Sequence, residues 1–403
     1  MANCLVAQSG GPTAVINASL AGIVRANQLN PLYGRVYGGL HGIEGTLRGE
    51  LCDLTGLSGR ELDLLRQTPS CALGTCRYKL SRSNPADFER LAQVMDAHDI
   101  TTLFYIGGND SMDTLDALAQ WAAGHAPGLR FIGIPKTVDN DLVLVDHCPG
   151  FPSAAKVACE IVHATRLDYD AYERREAFVL ETMGRDAGWL AASTCLTGDV
   201  DLLVLPEVDF DRDAFLEQAQ RAMDATGECY IVVSEGAHFA GGAYLAAGET
   251  ANDGFAHAVL GGAGAALKQM IVEAGVAPRC VVQDLARVAR SSNFAQSLVD
   301  ATEAYELGLA AHMRSAEAAF TGQVMGVRRG TAADGSYNAE YFAAPAAEFA
   351  NRVRPFPREW ILPDYRGVTE EALAYFRPLV EGEPQLIMEA GRPATLKAFN
   401  KRG

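Results

Sequence analysis

The 403-residue chain has no CxxC pair among its nine cysteines, no HExxH helix among its eight histidines, and few aromatic side chains, 8% of the total. The first two absences exclude the common spacings of structural and protease zinc sites. Cys71 and Cys76 flank a glycine turn, but two cysteines do not make a metal site, and an odd number scattered from Cys4 to Cys280 reads as reduced thiols. No apolar run approaches the length of a membrane-spanning helix. Basic residues are also short. Lys and Arg number 34 against 50 Asp and Glu, a net charge of −16, which excludes the dominant basic face that nucleic acid or an anionic membrane surface would need. The N-terminus, MANCLVAQSGG, lacks a basic n-region and reaches a glycine turn too early for a secretion signal, so a cytoplasmic location is expected. Neither GxxxxGK[ST] nor a GxGxxG following a strand occurs, which disfavours a nicotinamide dehydrogenase.

What is present is glycine, 40 residues of it, within a chain that is 48% hydrophobic, a composition that fits a compact α/β enzyme. The length suits two domains, and a boundary is expected near Pro149–Ser153. Short apolar runs predict buried strands at NCLVA (3–7), RVYGGL (35–40), TTLFYI (101–106), FIGI (131–134), AFVL (177–180), LLVL (202–205) and YIVVS (230–234). Several end in glycine or charge and then hand over to a helical pattern. Gln8-Ser9-Gly10-Gly11, Gly107-Gly108-Asn109-Asp110-Ser111 and Pro135-Lys136-Thr137-Val138-Asp139-Asn140-Asp141 are three such junctions in the first 141 residues. In a parallel sheet these strand ends converge on one crevice, where helix N-termini offer N–H groups to an anion. The plainer readings are a tight turn for Gly10-Gly11 and a helix cap for Asp110 or Ser111. Arg77 and Lys79, two apart beside Gly74, would bind phosphate or form a solvated surface pair. LGGAG at 260–264 reads as helix entry, and VVQDLARVAR at 281–290 puts Arg287 and Arg290 on one face if it is helical. From about residue 330 periodicity fades, apart from a last helix near 369–375. No strand is predicted there.

Six loops together carry a resemblance. QSGG (8–11), GTCR (74–77), GGNDS (107–111), PKTVDND (135–141), MGRDAGW (183–189) and SEGA (234–237) resemble the phosphofructokinase family in order and spacing, from residue 5 to about 315. Asp110 and Lys136 stand where the ATP-dependent branch has glycines, which looks like the pyrophosphate-dependent branch. An Asp110 carboxylate would crowd and repel the α-phosphate of ATP, whereas pyrophosphate ends before that point. Lys136 would add a point charge beside the transferred phosphoryl group.

The resemblance implies two Rossmann-like three-layer α/β/α domains with the active site in the cleft between them. Residues 1–150 with about 287–330 would bind pyrophosphate, residues 151–286 the sugar phosphate, and 331–403 would form an extension whose role is open. The implied reaction is reversible phosphoryl transfer from pyrophosphate to the 1-hydroxyl of fructose 6-phosphate. Asp139 would be the general base, Thr137 would position the hydroxyl or phosphoryl group, and Lys136 and Arg185 would stabilise developing charge. Gly10, Gly11, Arg77, Asp110 and Ser111 would hold pyrophosphate. Met183, Gly184 and Glu235 would line the sugar, with Asp284, Arg287 and Arg290 near its 6-phosphate. Mg²⁺ is the implied cofactor, near Asn109, Asp110 and Asp141, and a homodimer or homotetramer is implied. Three positions depart from the family pattern. Asn109 replaces the usual metal-binding carboxylate. Asp284 occupies a His or Tyr position in the register that fits best, which puts Arg287 at the phosphate-binding arginine; an alternative register puts Arg290 there. Arg174-Arg175-Glu176 stands where a cross-subunit arginine would be sought. The alternatives are an ATP-dependent kinase of another sugar phosphate, such as sedoheptulose 7-phosphate, and a non-catalytic sugar-phosphate sensor.

Overall fold

The computed structural model describes residues 1–173, 175–246 and 261–401; Arg174 and Leu260 lie outside them. Strands β1 (Asn3–Gln8), β2 (Val36–Gly39), β3 (Leu51–Asp53), β4 (Ile100–Gly107) and β5 (Arg130–Pro135) belong to a first sheet. A second is built from β6 (Glu176–Thr182), β7 (Leu202–Val204), β8 (Glu228–Ser234) and β9 (Cys280–Asp284). The chain then returns to the first sheet through β10 (Gln323–Thr331) and β11 (Tyr337–Pro345).

The first sheet has the order β11-β10-β5-β4-β1-β2-β3. Its five central strands run parallel, and an antiparallel strand closes each edge. The second, β7-β8-β6-β9, is parallel throughout. Parallel strands are covered on both faces, which is why their sequences read as unbroken apolar runs. The side chains nevertheless sort by the two-residue period of a strand. Cys4 and Val6 enter one core, Leu5 and Ala7 the other. Phe178 and Leu180 face one side of β6, Ala177 and Val179 the other. Each sheet is therefore the middle layer of three, the class the resemblance implied.

Two features set the position of the site. After β1 the chain crosses to β2 on one side, and β4 lies on the other. The strand order thus reverses at β1, and a crevice opens beyond the C-terminal ends of β1 and β4. The helix Ile16–Leu29, which carries the turn after β1, is pressed onto the helix Leu298–Arg314 by two glycines. A Cβ on Gly22 would stand 2.2 Å from the Tyr305 carbonyl oxygen, and one on Gly308 2.2 Å from that of Ser19.

Below the loop after β5 lies a buried ionic cluster. His147 meets Asp146 through Nδ1 (2.9 Å) and Glu303 through Nε2 (2.6 Å). Tyr337 donates to Glu303 (2.6 Å), and Arg329 donates to both Asp146 oxygens (3.1 Å each).

The segment after residue 330 differs from the expectation of an aperiodic tail, since β11 pairs with β10 and extends the first sheet. The half-exposed edge strand β11 lacks the long apolar run that marks the central strands. Further on, the helix Glu370–Val380 places Ala372, Phe376 and Leu379 in the core of the second unit, against Phe151 and Trp189. Residues after 330 therefore join the first sheet and pack against a core beside the second. Among the described residues no helix is long and apolar enough to cross a membrane.

Candidate active site

A cavity of about 370 Å³ opens where the strand ends of both sheets meet. The first sheet contributes Gly10, Gly11, Pro12 and Thr13 after β1, Gly108–Ser111 after β4, and Lys136–Asp139 with Asp141 after β5. The second contributes Met183, Arg185 and Asp186 after β6, Glu235 after β8 and Arg290 after β9. Arg77, Asn351 and Val353 complete the wall.

The turn after β1 is set by Gly10, whose φ of +74° favours a residue without a side chain. Two cations bracket it. A Cβ on Gly10 would lie 3.4 Å from Lys136 Nζ, and one on Gly11 3.3 Å from an Arg290 guanidinium nitrogen. Lys136 is 4% exposed and donates to the Gly11 carbonyl (2.7 Å). Burial holds its pKa below the ordinary lysine value, with Arg290 adding to the effect. Arg290 is likewise pushed down by burial and by the neighbouring Arg77 and Arg287. This concentration of positive charge in an acidic chain is the chemistry of a polyanion site.

Asp139 lines the same cavity. Its Oδ1 is enclosed and has no hydrogen-bond partner. Burial raises its pKa, and Asp186 adds to the rise while Arg185 and Lys136 oppose it. Asn140 gives the loop its bend by adopting a left-handed φ of +55°, and its side-chain oxygen accepts from Cys148 N (2.9 Å). Thr137 Oγ1 accepts from Asp139 N (3.1 Å), tying hydroxyl and carboxylate into one turn. Asp141 is raised by burial and then by Asp139. Glu235 is pushed up to about 7 by burial, with Asp139 contributing. An enclosed carboxylate oxygen without a hydrogen-bond partner, among other raised carboxylates and in the field of arginine and lysine, suits proton acceptance next to a phosphoryl group.

Gly184 does not line the cavity but shapes it. Its φ is +137°, a Cβ there would meet Ser234 Oγ at 2.5 Å, and its N–H points at Glu235 Oε1 (3.5 Å). Asp284 is exposed, off the cavity wall, and its carboxylate accepts from Ala286 N (2.7 Å) at the start of the helix Ala286–Arg290. Arg287 is exposed and also off the wall, whereas Arg290, one helical turn on, lies on it. The segment 281–290 is half strand and half helix, and this handover decides which arginine faces inward. Lys79, offered by the sequence as a phosphate ligand, instead pairs with Asp110 (3.1 Å) and Asp113 (3.0 Å).

The expected metal set fits in part. Asp110 and Asp141 are oxygen donors on the wall. Asn109 is engaged elsewhere: its Nδ2 donates to the Arg352 carbonyl (2.6 Å) and its Oδ1 accepts from Asn351 N (2.9 Å). No group of three His, Cys, Asp or Glu side chains among the described residues is arranged to hold a metal by itself. Mg²⁺ commonly binds through one or two carboxylates plus substrate phosphate oxygens, which this donor set allows.

Sequence reasoning passed over Thr13, Asp186, Asn351 and Val353. Thr13 Oγ1 is buried without a partner at the end of the very glycine turn that was singled out, and Asp186 follows Arg185, so adjacency was their available signal. Asn351 and Val353 carry none.

The family description Phosphofructokinase matches residues 3–314. The pyrophosphate–fructose 6-phosphate 1-phosphotransferase of Halomonas elongata is 38% identical, over 99% of this chain and 97% of its own length. That of Methylococcus capsulatus is 39% identical over 97% and 94%. The crystal structure of a pyrophosphate-dependent phosphofructokinase from Marinobacter aquaeolei superposes with a TM-score of 0.88 at 33% identity, covering 100% of this chain and 97% of that one.

Proposed function

The chain belongs to the phosphofructokinase family, and from that we propose that it transfers a phosphoryl group reversibly between pyrophosphate and the 1-hydroxyl of fructose 6-phosphate. The observation that carries the reading is the pairing of Asp139, whose enclosed oxygen lacks a partner, with the buried Lys136 ammonium at the glycine turn. The hydroxyl gives its proton to Asp139 as its oxygen bonds to phosphorus. The bridging P–O bond breaks, and inorganic phosphate leaves with the electron pair. Charge develops on the equatorial oxygens and the leaving group, and Lys136 and Arg185 neutralise it. Thr137 positions the hydroxyl. Gly10, Gly11, Arg77 and Ser111 hold pyrophosphate, with Asp110 limiting the donor's length. Met183, Gly184 and Glu235 surround the sugar. Arg290, beside Gly11, adds charge at the pyrophosphate turn, and Arg287 is the candidate for the 6-phosphate.

Mg²⁺ would be held by Asp110, Asp141 and the pyrophosphate oxygens, and when bound it supplies neutralising charge to the phosphates. A homodimer or homotetramer belongs to the same reading, supported by the exposed apolar side chains Val288, Phe294 and Leu298. So does a cytoplasmic location, in keeping with nine free thiols.

The test is an assay of the purified chain on fructose 6-phosphate with each donor in turn. Turnover with pyrophosphate and little with ATP is expected. Robust turnover with ATP and none with pyrophosphate would overturn the donor assignment, and no turnover with either would leave a binding protein.

A further inference from the structure

The family match ends at residue 314, yet Asn351 and Val353 form part of the cavity wall. The segment Asn351–Phe356 contributes to the cavity wall and is bonded to three of the elements that build it. At the first, the N-terminus of the helix Asn109–His125, Asn109 grips the backbone of Asn351 and Arg352, and Asn351 Nδ2 donates to Asp113 (3.1 Å). At the second, the loop after β5, Arg354 N donates to the Asp141 carbonyl (2.7 Å). The Arg354 guanidinium donates to the carbonyls of Asn140 (2.9 Å), Val145 (2.6 Å) and Asp146. At the third, the loop after β6, the same guanidinium lies over the Trp189 ring at 4.3 Å, and Trp189 Nε1 donates to the Arg354 carbonyl (3.1 Å). Phe356 N and Gly188 N share one Glu207 oxygen, at 2.7 and 2.8 Å.

We propose that Asn351–Phe356 is a strap that holds the catalytic loops of the two units in register, with Arg354 as its positioning residue and Asn109 as its anchor. This rests on the reading of Asp139 as base and Arg185 as charge stabiliser. Arg354 touches neither, but it holds Asn140, the left-handed residue directly after Asp139, and it stacks on the ring four residues after Arg185. A shift at either end would alter the spacing between base and guanidinium, and misplacement on the ångström scale costs such reactions roughly a hundredfold.

The strap also accounts for the amide at position 109. An amide donates to one backbone group and accepts from another, as both distances require. A carboxylate accepts only, so an aspartate would face the Arg352 carbonyl with like partial charge. Asn109 is thus fitted to the strap, and a carboxylate there would not restore a metal ligand.

The test uses R354A, R354K and N109D in the full chain, each checked for a parental melting transition. R354A should lower kcat about tenfold to a hundredfold, with the KM values for both substrates within about threefold, and R354K should fall between R354A and the parent. Amide exchange should quicken over 140–146 in R354A and over 349–353 in N109D, and N109D should lose turnover without needing less Mg²⁺. Parental kcat and exchange in R354A would overturn the proposal, as would N109D gaining turnover at low Mg²⁺. If R354A does not fold, N109D decides. If the parent turns over neither donor, the functional reading fails, and the exchange measurements still decide whether the strap exists.

Discussion

Two buried charge clusters lie a few residues apart in the chain, and they are built on opposite plans. In the one around His147, both ring nitrogens have carboxylate partners, and those carboxylates are further bonded to Tyr337 and Arg329. In the one around Asp139, a carboxylate oxygen is enclosed with no partner and an ammonium meets a backbone carbonyl. Burial opposes charge in both. Carboxylates on either side overcome it at His147, whose pKa rises to about 9. At Asp139 and Lys136 burial prevails, and each group is shifted toward its neutral form. Satisfied charge locks the loop from below, and unsatisfied charge is left for something that binds.

The contrast is broken most severely at Asp139. D139N should reduce turnover by about 10²–10⁴-fold, the usual worth of a general base, while the melting temperature at pH 8 stays level or rises, because a buried carboxylate with a raised pKa is costly when ionised. Retained turnover, or a large drop in melting temperature, would mean the two clusters do the same job. H147Q should do the reverse, lowering stability by about 3–5 kcal/mol, as expected for a broken buried ion pair, with kcat of the folded fraction within a few-fold of the parent; denaturant titration and turnover measure both. The pH dependence follows. A folded pKa raised above the unfolded value gives stability that is whole below pH about 6.5 and fades as pH climbs through about 9. The parent should therefore lose stability between pH 7 and 10, and H147Q should lose less.

A smaller effect separates the two arginines. R290Q should raise KM for pyrophosphate about tenfold to a hundredfold, the range of a charged hydrogen bond, and R287Q should leave that KM within about threefold and raise the one for fructose 6-phosphate. An unchanged KM for pyrophosphate in R290Q would remove Arg290 from the donor site. The smallest is a displacement of the pH–rate profile. Because Asp139 must be ionised, kcat/KM should fall on acidification with a midpoint above about 4, the ordinary aspartate value. A limb at that value would place the base in an open environment.

The His147 cluster shows why only part of this was legible in advance. His147 and Glu303 are 156 positions apart, and nothing in either neighbourhood points to the other. The loops of the site were readable because chemistry at strand ends is bracketed by apolar runs and glycines, so Asp139, Lys136 and Arg185 stand out in their own sequence context. Local pattern favours Arg287 over Arg290, yet Arg290 lies on the cavity wall, since that depends on where β9 stops and a short helix starts. Asn351, Val353 and Arg354 were out of reach for a different reason. They sit in irregular chain whose shape is imposed by partners far off in sequence, and local pattern carries no trace of such bonds. The three-layer architecture was legible from strand composition, but the two strands that extend the first sheet were not, one of them being a half-exposed edge.

The helix contact at Gly22 and Gly308 has a consequence for how this chain can change over generations. Backbone touches backbone there, so neither position can acquire even a methyl group unless the helices part. The helix Ile16–Leu29 begins five residues after Gly11, and any parting would be felt at the turn between Lys136 and Arg290. Drift at two unremarkable core glycines is thereby policed by the anion site. The geometry of the turn is inherited from a contact that never meets a ligand.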